Sequence, residues 1–305
     1  MNDNHPLAGV YAAAVTPLRN DSIFDLEAVP ALLHFLASSG CHGALFFGTT
    51  GEGPSFSPKE REILMRSVRV YRQQLPGFKL LAGTGTPSLS ESIDLTKLSF
   101  DLGYDGVVVL PPYYFRKATD EGLFNWFREL IKKAVPSKGY LLGYHIPGTS
   151  GVGFSLDLLA RLKDAFPIQF AGIKDSSHDE AFATALGERF GKDLLVLNGT
   201  DSYFHHALKN HAQGAITAPA NLISEDLREI WDLYQTGKDP SEAQARVTEQ
   251  RYLLEKYMPF PPILKALLHK LHNFPKWTVR PPLEEMDEKK LEEAVRGFTQ
   301  DLRGL

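Results

Sequence analysis

Short apolar runs alternate with longer amphipathic segments along this chain. The runs fall at 10–15, 43–47, 79–82, 106–110, 140–144, 170–173, 194–197 and 214–216. The later ones are near-continuously apolar instead of strictly alternating, as strands covered on both faces read. Between them lie segments with apolar residues at helical spacing, at 26–36, 58–71, 88–98, 120–135, 155–165, 178–190 and 201–210. The first carries Leu26, Val29, Leu32, Leu33 and Leu36 on one face. The second opens with Ser57, Pro58 and Glu60, the signature of a capping box with proline at the first helical position. The spacing of strands is that of βα units. Eight of them predict an α/β fold, a closed (β/α)8 TIM barrel. The alternative is an open doubly wound sheet, which would put Gly-x-Gly-x-x-Gly after the first strand, and none follows. From 222 the pattern is helical only. The segment 222–235 closes the barrel, and 240–256, 261–271 and 285–302 form a C-terminal helical extension. The expected organisation is a catalytic barrel over 1–237 and an extension over 238–305 packed on it.

Composition narrows the class. The chain has 305 residues, 43% hydrophobic and 23% charged, which is ordinary for a soluble globular protein. Its formal charge of −4 argues against nucleic-acid binding, which needs a basic footprint. A single cysteine, Cys41, excludes an internal disulfide and a cysteine-rich metal site. Residues 1–6 are polar, without the basic and apolar regions of a signal peptide. No apolar run is long enough to span a membrane. The expectation is a cytoplasmic protein.

In a barrel of this kind reactive groups sit at the C-terminal ends of strands, which singles out five places. Gly48-Thr49-Thr50-Gly51-Glu52-Gly53 makes a tight turn whose exposed N–H groups can hold a carboxylate or phosphate. It lacks the Gly-Lys-Ser/Thr ending of a nucleotide-binding loop, and it reads equally as an ordinary glycine-rich turn. Pro111-Pro112-Tyr113-Tyr114-Phe115 offers a phenol at a strand end, or aromatic cover for an interface. In Tyr144-His145-Ile146-Pro147 neighbouring residues face opposite ways. One of Tyr144 and His145 therefore faces the barrel axis, and His145 reads better as a satisfied outward histidine than as a base. Lys174 follows Phe170-Ala171-Gly172-Ile173. Lysines usually snorkel to solvent, whereas one ending a buried strand presents a nucleophilic amine suited to Schiff-base chemistry on a ketone. The competing reading pairs it with Asp175 at the rim. Asn198-Gly199-Thr200-Asp201 offers carbonyls, a hydroxyl and a carboxylate to a polyol, or simply an N-cap for the next helix. The ten histidines include no His-Glu-x-x-His, and no His, Asp and Glu cluster at strand ends. Neither a catalytic metal nor a cofactor is expected.

Together these motifs resemble the dihydrodipicolinate synthase and N-acetylneuraminate lyase family of class I, pyruvate-dependent aldolases, over residues 9–283. Gly48-Thr49-Thr50-Gly51-Glu52 looks like the family's pyruvate-carboxylate loop, Tyr144 with Ile146-Pro147 like its tyrosine segment, and Gly172-Ile173-Lys174 like its Schiff-base segment. The resemblance implies that Lys174 forms the imine with pyruvate or a 2-oxo acid and that Tyr144 is the acid/base. Thr49 would relay protons between Tyr144 and Tyr114, the latter given by a neighbouring subunit. The N–H groups of Thr49 and Thr50, framed by Gly48 and Gly51, would bind the carboxylate. It also implies a homotetramer, a dimer of dimers.

Departures from the pattern bear on the substrate. Thr149 stands where the synthases carry an arginine for the aldehyde's carboxylate, which is not a conservative exchange. His145 replaces an asparagine, and Pro87 stands where lysine-inhibited synthases carry an amide. Asp201 is kept, but Ser202 replaces the glutamate of neuraminate lyases. Lys174-Asp175-Ser176 is close to the pattern of aldolases acting on 2-keto-3-deoxy sugar acids. The favoured reading is an aldolase for a small hydroxylated 2-oxo acid, whose far end meets Thr149, Ser176, Gly199, Thr200, Asp201 and Ala218. The alternatives are a dihydrodipicolinate synthase, a neuraminate-lyase-like enzyme or dehydratase, and a non-catalytic sugar-acid-binding protein on the same scaffold.

Overall fold

The computed structural model describes residues 4–301; Leu302, the expected end of the last helix, lies outside them. Eight strands form a closed parallel barrel in chain order. They are β1 (Gly9–Ala13), β2 (Gly43–Phe46), β3 (Lys79–Gly83), β4 (Gly106–Val109), β5 (Leu141–His145), β6 (Phe170–Asp175), β7 (Leu195–Asn198) and β8 (Gly214–Thr217). Every strand position is buried except Lys79, which is half-buried. Burial on both faces is why the runs lack a polar face.

The helices are α1 (Val29–Ser38), α2 (Pro58–Arg72), α3 (Leu89–Asp101), α4 (Asp120–Ala134), α5 (Pro147–Ser150), α6 (Leu156–Ala165), α7 (Glu180–Phe190), α8 (Phe204–Lys209), α9 (Ser224–Gln235), α10 (Ser241–Glu255), α11 (Phe260–His272) and α12 (Glu288–Asp301). The capping box expected at Ser57 is present: Ser57 N–H donates to Glu60 Oε2 at 2.8 Å, and the Ser57 hydroxyl accepts from Glu60 N–H. Ser88, Thr119, Ser155 and Asp179 cap α3, α4, α6 and α7 with a side-chain oxygen that accepts a first-turn N–H. Each satisfies an N–H that the helix itself leaves without a partner. Several expected helices begin two or three residues later than their pattern; at α1 and α8 the reason is a 3-10 turn, Leu26–Ala28 and Asp201–Tyr203, that leads into the helix.

The described residues form two compact units, 4–9 with 79–216 and 10–78 with 217–301. The first has a core of Phe127, Phe154, Phe170, Leu158 and Ile173 beneath α4 and α6. Gly172 makes the β6–β7 approach possible, since a Cβ there would lie 1.8 Å from Leu195 O. In the second unit α10 lies against α9, α12 against α10 and α11, and α11 against the Pro219–Asn221 turn. The Asn221 amide group binds its surroundings on both sides: Nδ2 donates to Ala13 O at 2.8 Å and Oδ1 accepts from Val15 N–H at 3.1 Å.

Candidate active site

In the first unit β5 and β6 run in register with Tyr144 beside Lys174 and His145 beside Asp175. The pleat sends these two pairs to opposite faces. Lys174 is 3% exposed and Tyr144 4%. The lysine Nζ sits 4.1 Å from the centroid of the tyrosine ring. This contact brings the candidate nucleophile and the phenol within one substrate's length.

His145 turns the other way. Its Nδ1 accepts from Phe154 N–H at 2.9 Å, and its ring stacks on Phe182 with centroids 4.4 Å apart. Burial pushes the imidazole down to about 4, against the weaker opposing pull of Asp179. It is a neutral, hydrogen-bonded packing group, in line with the outward reading. Asp175 shares that face; burial pushes its carboxyl above the ordinary range, opposed by the Ser177 hydrogen bonds.

Beyond the strand ends, Ser176 N–H donates to His145 O at 2.8 Å. Gly199 N–H donates to Asp175 O at 2.6 Å. A Cβ on Gly199 would fall 1.9 Å from Ser176 Oγ, so this glycine leaves room for the Ser176 hydroxyl. Thr200 is buried and its carbonyl accepts from Asn198 Nδ2 at 2.7 Å. Asp201 is fully buried at the head of its 3-10 turn. Thr149 is exposed on α5, a helix that the sequence pattern did not predict. That helix closes at Gly151 with φ +68°, and the Arg116 side chain fills the space there, 2.9 Å from where a Cβ would stand. Tyr114 is 75% exposed, with Phe115 edge-on to it at 5.3 Å.

In the second unit the candidate carboxylate-binding residues form one turn. Gly53 N–H donates to Gly48 O and Glu52 N–H to Thr49 O, both at 3.1 Å. Thr16 Oγ1 donates to Gly51 O at 2.7 Å. Gly51 has no room for a side chain, as a Cβ would meet Ala14 O at 2.9 Å. Thr49 is exposed and Thr50 buried. Ala218 is half-buried, and its carbonyl accepts from the Asn221 side chain at 2.8 Å.

One group at this turn escaped the sequence reading. Glu52 adopts a left-handed conformation with φ +55° and is ion-paired to Lys265 of α11. The available signal was a lysine inside the apolar run Ile263-Leu264-Lys265-Ala266-Leu267-Leu268, the same signal that marked Lys174. Among the described residues no three His, Cys, Asp or Glu side chains gather into a group able to hold a metal. None of their helices is long and apolar enough to cross a membrane.

Comparison with known proteins adds four findings. Residues 6–300 match the model of the dihydrodipicolinate synthetase family. A Chloroflexus aurantiacus protein named as a DapA-like lyase is 35% identical over 90% of this chain and 90% of its own. The 4-hydroxy-tetrahydrodipicolinate synthase of Prochlorococcus marinus is 30% identical over 95% of this chain and 94% of its own. Among solved structures, the 4-hydroxy-tetrahydrodipicolinate synthase of Methylacidiphilum fumariolicum superposes with a TM-score of 0.88 at 27% identity, covering 97% of this chain and 96% of the other.

Proposed function

The chain belongs to the dihydrodipicolinate synthetase family and is a lyase of the class I aldolase kind; from that premise we propose that Lys174 and Tyr144 cleave or form a small hydroxylated 2-oxo acid, with pyruvate as one partner. The observation that carries the reading is the buried Lys174 amine held over the Tyr144 ring. The amine adds to the C2 carbonyl, and loss of water leaves a protonated imine. That imine is the electron sink. Tyr144 takes the proton of the C4 hydroxyl, the C3–C4 bond breaks, and the aldehyde leaves. The electron pair rests in an enamine, which is protonated at C3 and hydrolysed to pyruvate and free Lys174. The Thr49 and Thr50 N–H groups hold the carboxylate, and Thr49 relays protons to Tyr114 from a neighbouring subunit. Residues 1–237 act as the catalytic barrel and 238–305 as its extension, in a cytoplasmic homotetramer.

Borohydride reduction in the presence of pyruvate, followed by peptide mass analysis, tests the covalent step. An adduct on Lys174 is expected; an adduct on another lysine, or none, refutes it.

A 2-keto-3-deoxy sugar acid is the favoured substrate because Thr149, Ser176, Thr200 and Asp201 can satisfy hydroxyl groups, whereas a carboxylate needs a cation to replace its hydration. A second reading, 4-hydroxy-tetrahydrodipicolinate synthase, has Arg116 in its favour, since its side chain packs on Gly151 two residues from Thr149. Measuring kcat/KM for glyceraldehyde and for aspartate semialdehyde at saturating pyruvate separates them. The sugar-acid reading expects glyceraldehyde to be preferred. A preference of about tenfold or more for aspartate semialdehyde, the scale of one charge-assisted hydrogen bond, establishes the second.

A further inference from the structure

We infer that Glu52 and Lys265 are positioning residues that hold the carboxylate-binding turn in its working shape; this rests on the pyruvate-binding reading above. Both side chains are fully or almost fully buried, at 0% and 1% exposure. A buried carboxylate and a buried ammonium are each costly unless paired and hydrogen-bonded, and here the remaining groups are used. Lys265 Nζ also donates to Thr278 O at 2.7 Å, and Glu52 Oε2 accepts from Arg280 N–H at 2.8 Å. The Glu52 carboxylate is thus clamped between α11 and the segment at 278–280.

The clamp acts on the turn through the backbone of Glu52. Its left-handed conformation is disfavoured for a residue with a side chain, and its N–H donates to Thr49 O. Next to it, Gly53 N–H closes on Gly48 O. Arg61, itself buried, donates from Nη2 to Gly53 O at 2.6 Å and from Nε to Phe56 O at 3.2 Å. Fixing the Glu52 side chain therefore fixes the turn that carries Thr49 and Thr50, whose N–H groups meet the substrate's carboxylate on the reading above. Neither Glu52 nor Lys265 needs to touch the reacting atoms.

A neutral ketone provides the discriminating probe, because its imine with Lys174 needs no carboxylate grip. Borohydride trapping on the full-length protein is followed against pyruvate concentration and against acetone concentration. The double variant Glu52→Gln/Lys265→Met leaves no unpaired buried charge. It is expected to need about tenfold more pyruvate for half-maximal trapping, the scale of one lost hydrogen bond to a charged group. Its acetone dependence should stay that of the wild type. Unchanged pyruvate dependence in the folded variant overturns the inference, and so does an equal loss for both ketones, which marks general damage. Should the double variant not fold, Lys265→Arg, which keeps the charge, is read by the same pair of curves. Failure of the wild type to form any Lys174 adduct with pyruvate would instead refute the reading on which this one rests.

Discussion

At the residue scale, the two neighbours Tyr144 and His145 show how a pleat divides labour. His145 is kept neutral by burial, and that has a consequence for stability. In the unfolded chain its imidazole takes a proton near the ordinary 6.5, but in the fold only near about 4. Between those values the unfolded chain binds more protons. The stabilisation is therefore fully present above 6.5 and is lost as the pH falls towards 4, by up to about 3 kcal/mol. His5, also pushed down to about 4 by burial and by Lys163, adds to the same slope. His145→Gln should flatten it. Urea unfolding of both proteins at pH 7.5 and 4.5 checks this, and equal losses in the two would refute it. The orientation of His145 was legible in the sequence because alternation in a strand is geometric. The burial of Lys174 was legible because it directly follows a buried apolar run, where a lysine has no path to solvent. Lys265 carries the same signal but sits in a helical pattern, where lysines usually reach solvent. Its burial depends on Glu52, 213 positions away, and no local pattern encodes that.

At the scale of elements, the strands were legible because covering both faces leaves continuous apolar runs. Their ends were less so. β6 runs on through Lys174 and Asp175, which pair with Leu197 and Asn198 although the apolar run stops at Ile173. The candidate nucleophile Lys174 is thus the residue at which the hydrophobic pattern breaks while the ladder continues. The helix α5 was missed because four residues show no periodicity; only Pro147 at its start and left-handed Gly151 at its end mark it. Glycines in these elements differ sharply in tolerance. Gly172→Ala would drive a Cβ to within 1.8 Å of Leu195 O, and neither backbone can yield without disturbing the β6–β7 ladder. A loss of about 3 kcal/mol or more is expected. Gly148→Ala in α5 meets nothing within 4 Å and should be neutral or stabilising by up to about 1 kcal/mol. Denaturant midpoints of the two variants check the contrast; similar midpoints would contradict it.

For the whole molecule, the eightfold repeat of strand and helix made the closed barrel legible, since connections of this kind are right-handed and short. The proposed assembly rests on single side chains instead. Tyr114 and Phe115 are 75% and 74% exposed side by side, and adjacent aromatic rings in water mark an interaction surface. The expectation is an oligomer in which Tyr114 serves a neighbour's site. Tyr114→Phe chains mixed with Lys174→Ala chains should then regain activity on subunit exchange, since some sites would combine an intact lysine and an intact phenol. Mixed oligomers that stay inactive would assign Tyr114 to its own chain or to no catalytic part.

The clamp on Glu52 also sets a timetable for the living cell. A ribosome adding about 5 to 20 residues per second spends roughly 10 to 40 s between translating position 52 and position 265. Throughout that interval the carboxylate lacks the ammonium with which it pairs in the fold. With Glu52 as a positioning residue, a chain that ends before Lys265 carries the carboxylate-binding turn without the partner that holds its shape. The proposed hold on a 2-oxo acid would then be weaker in an unfinished copy than in the complete protein.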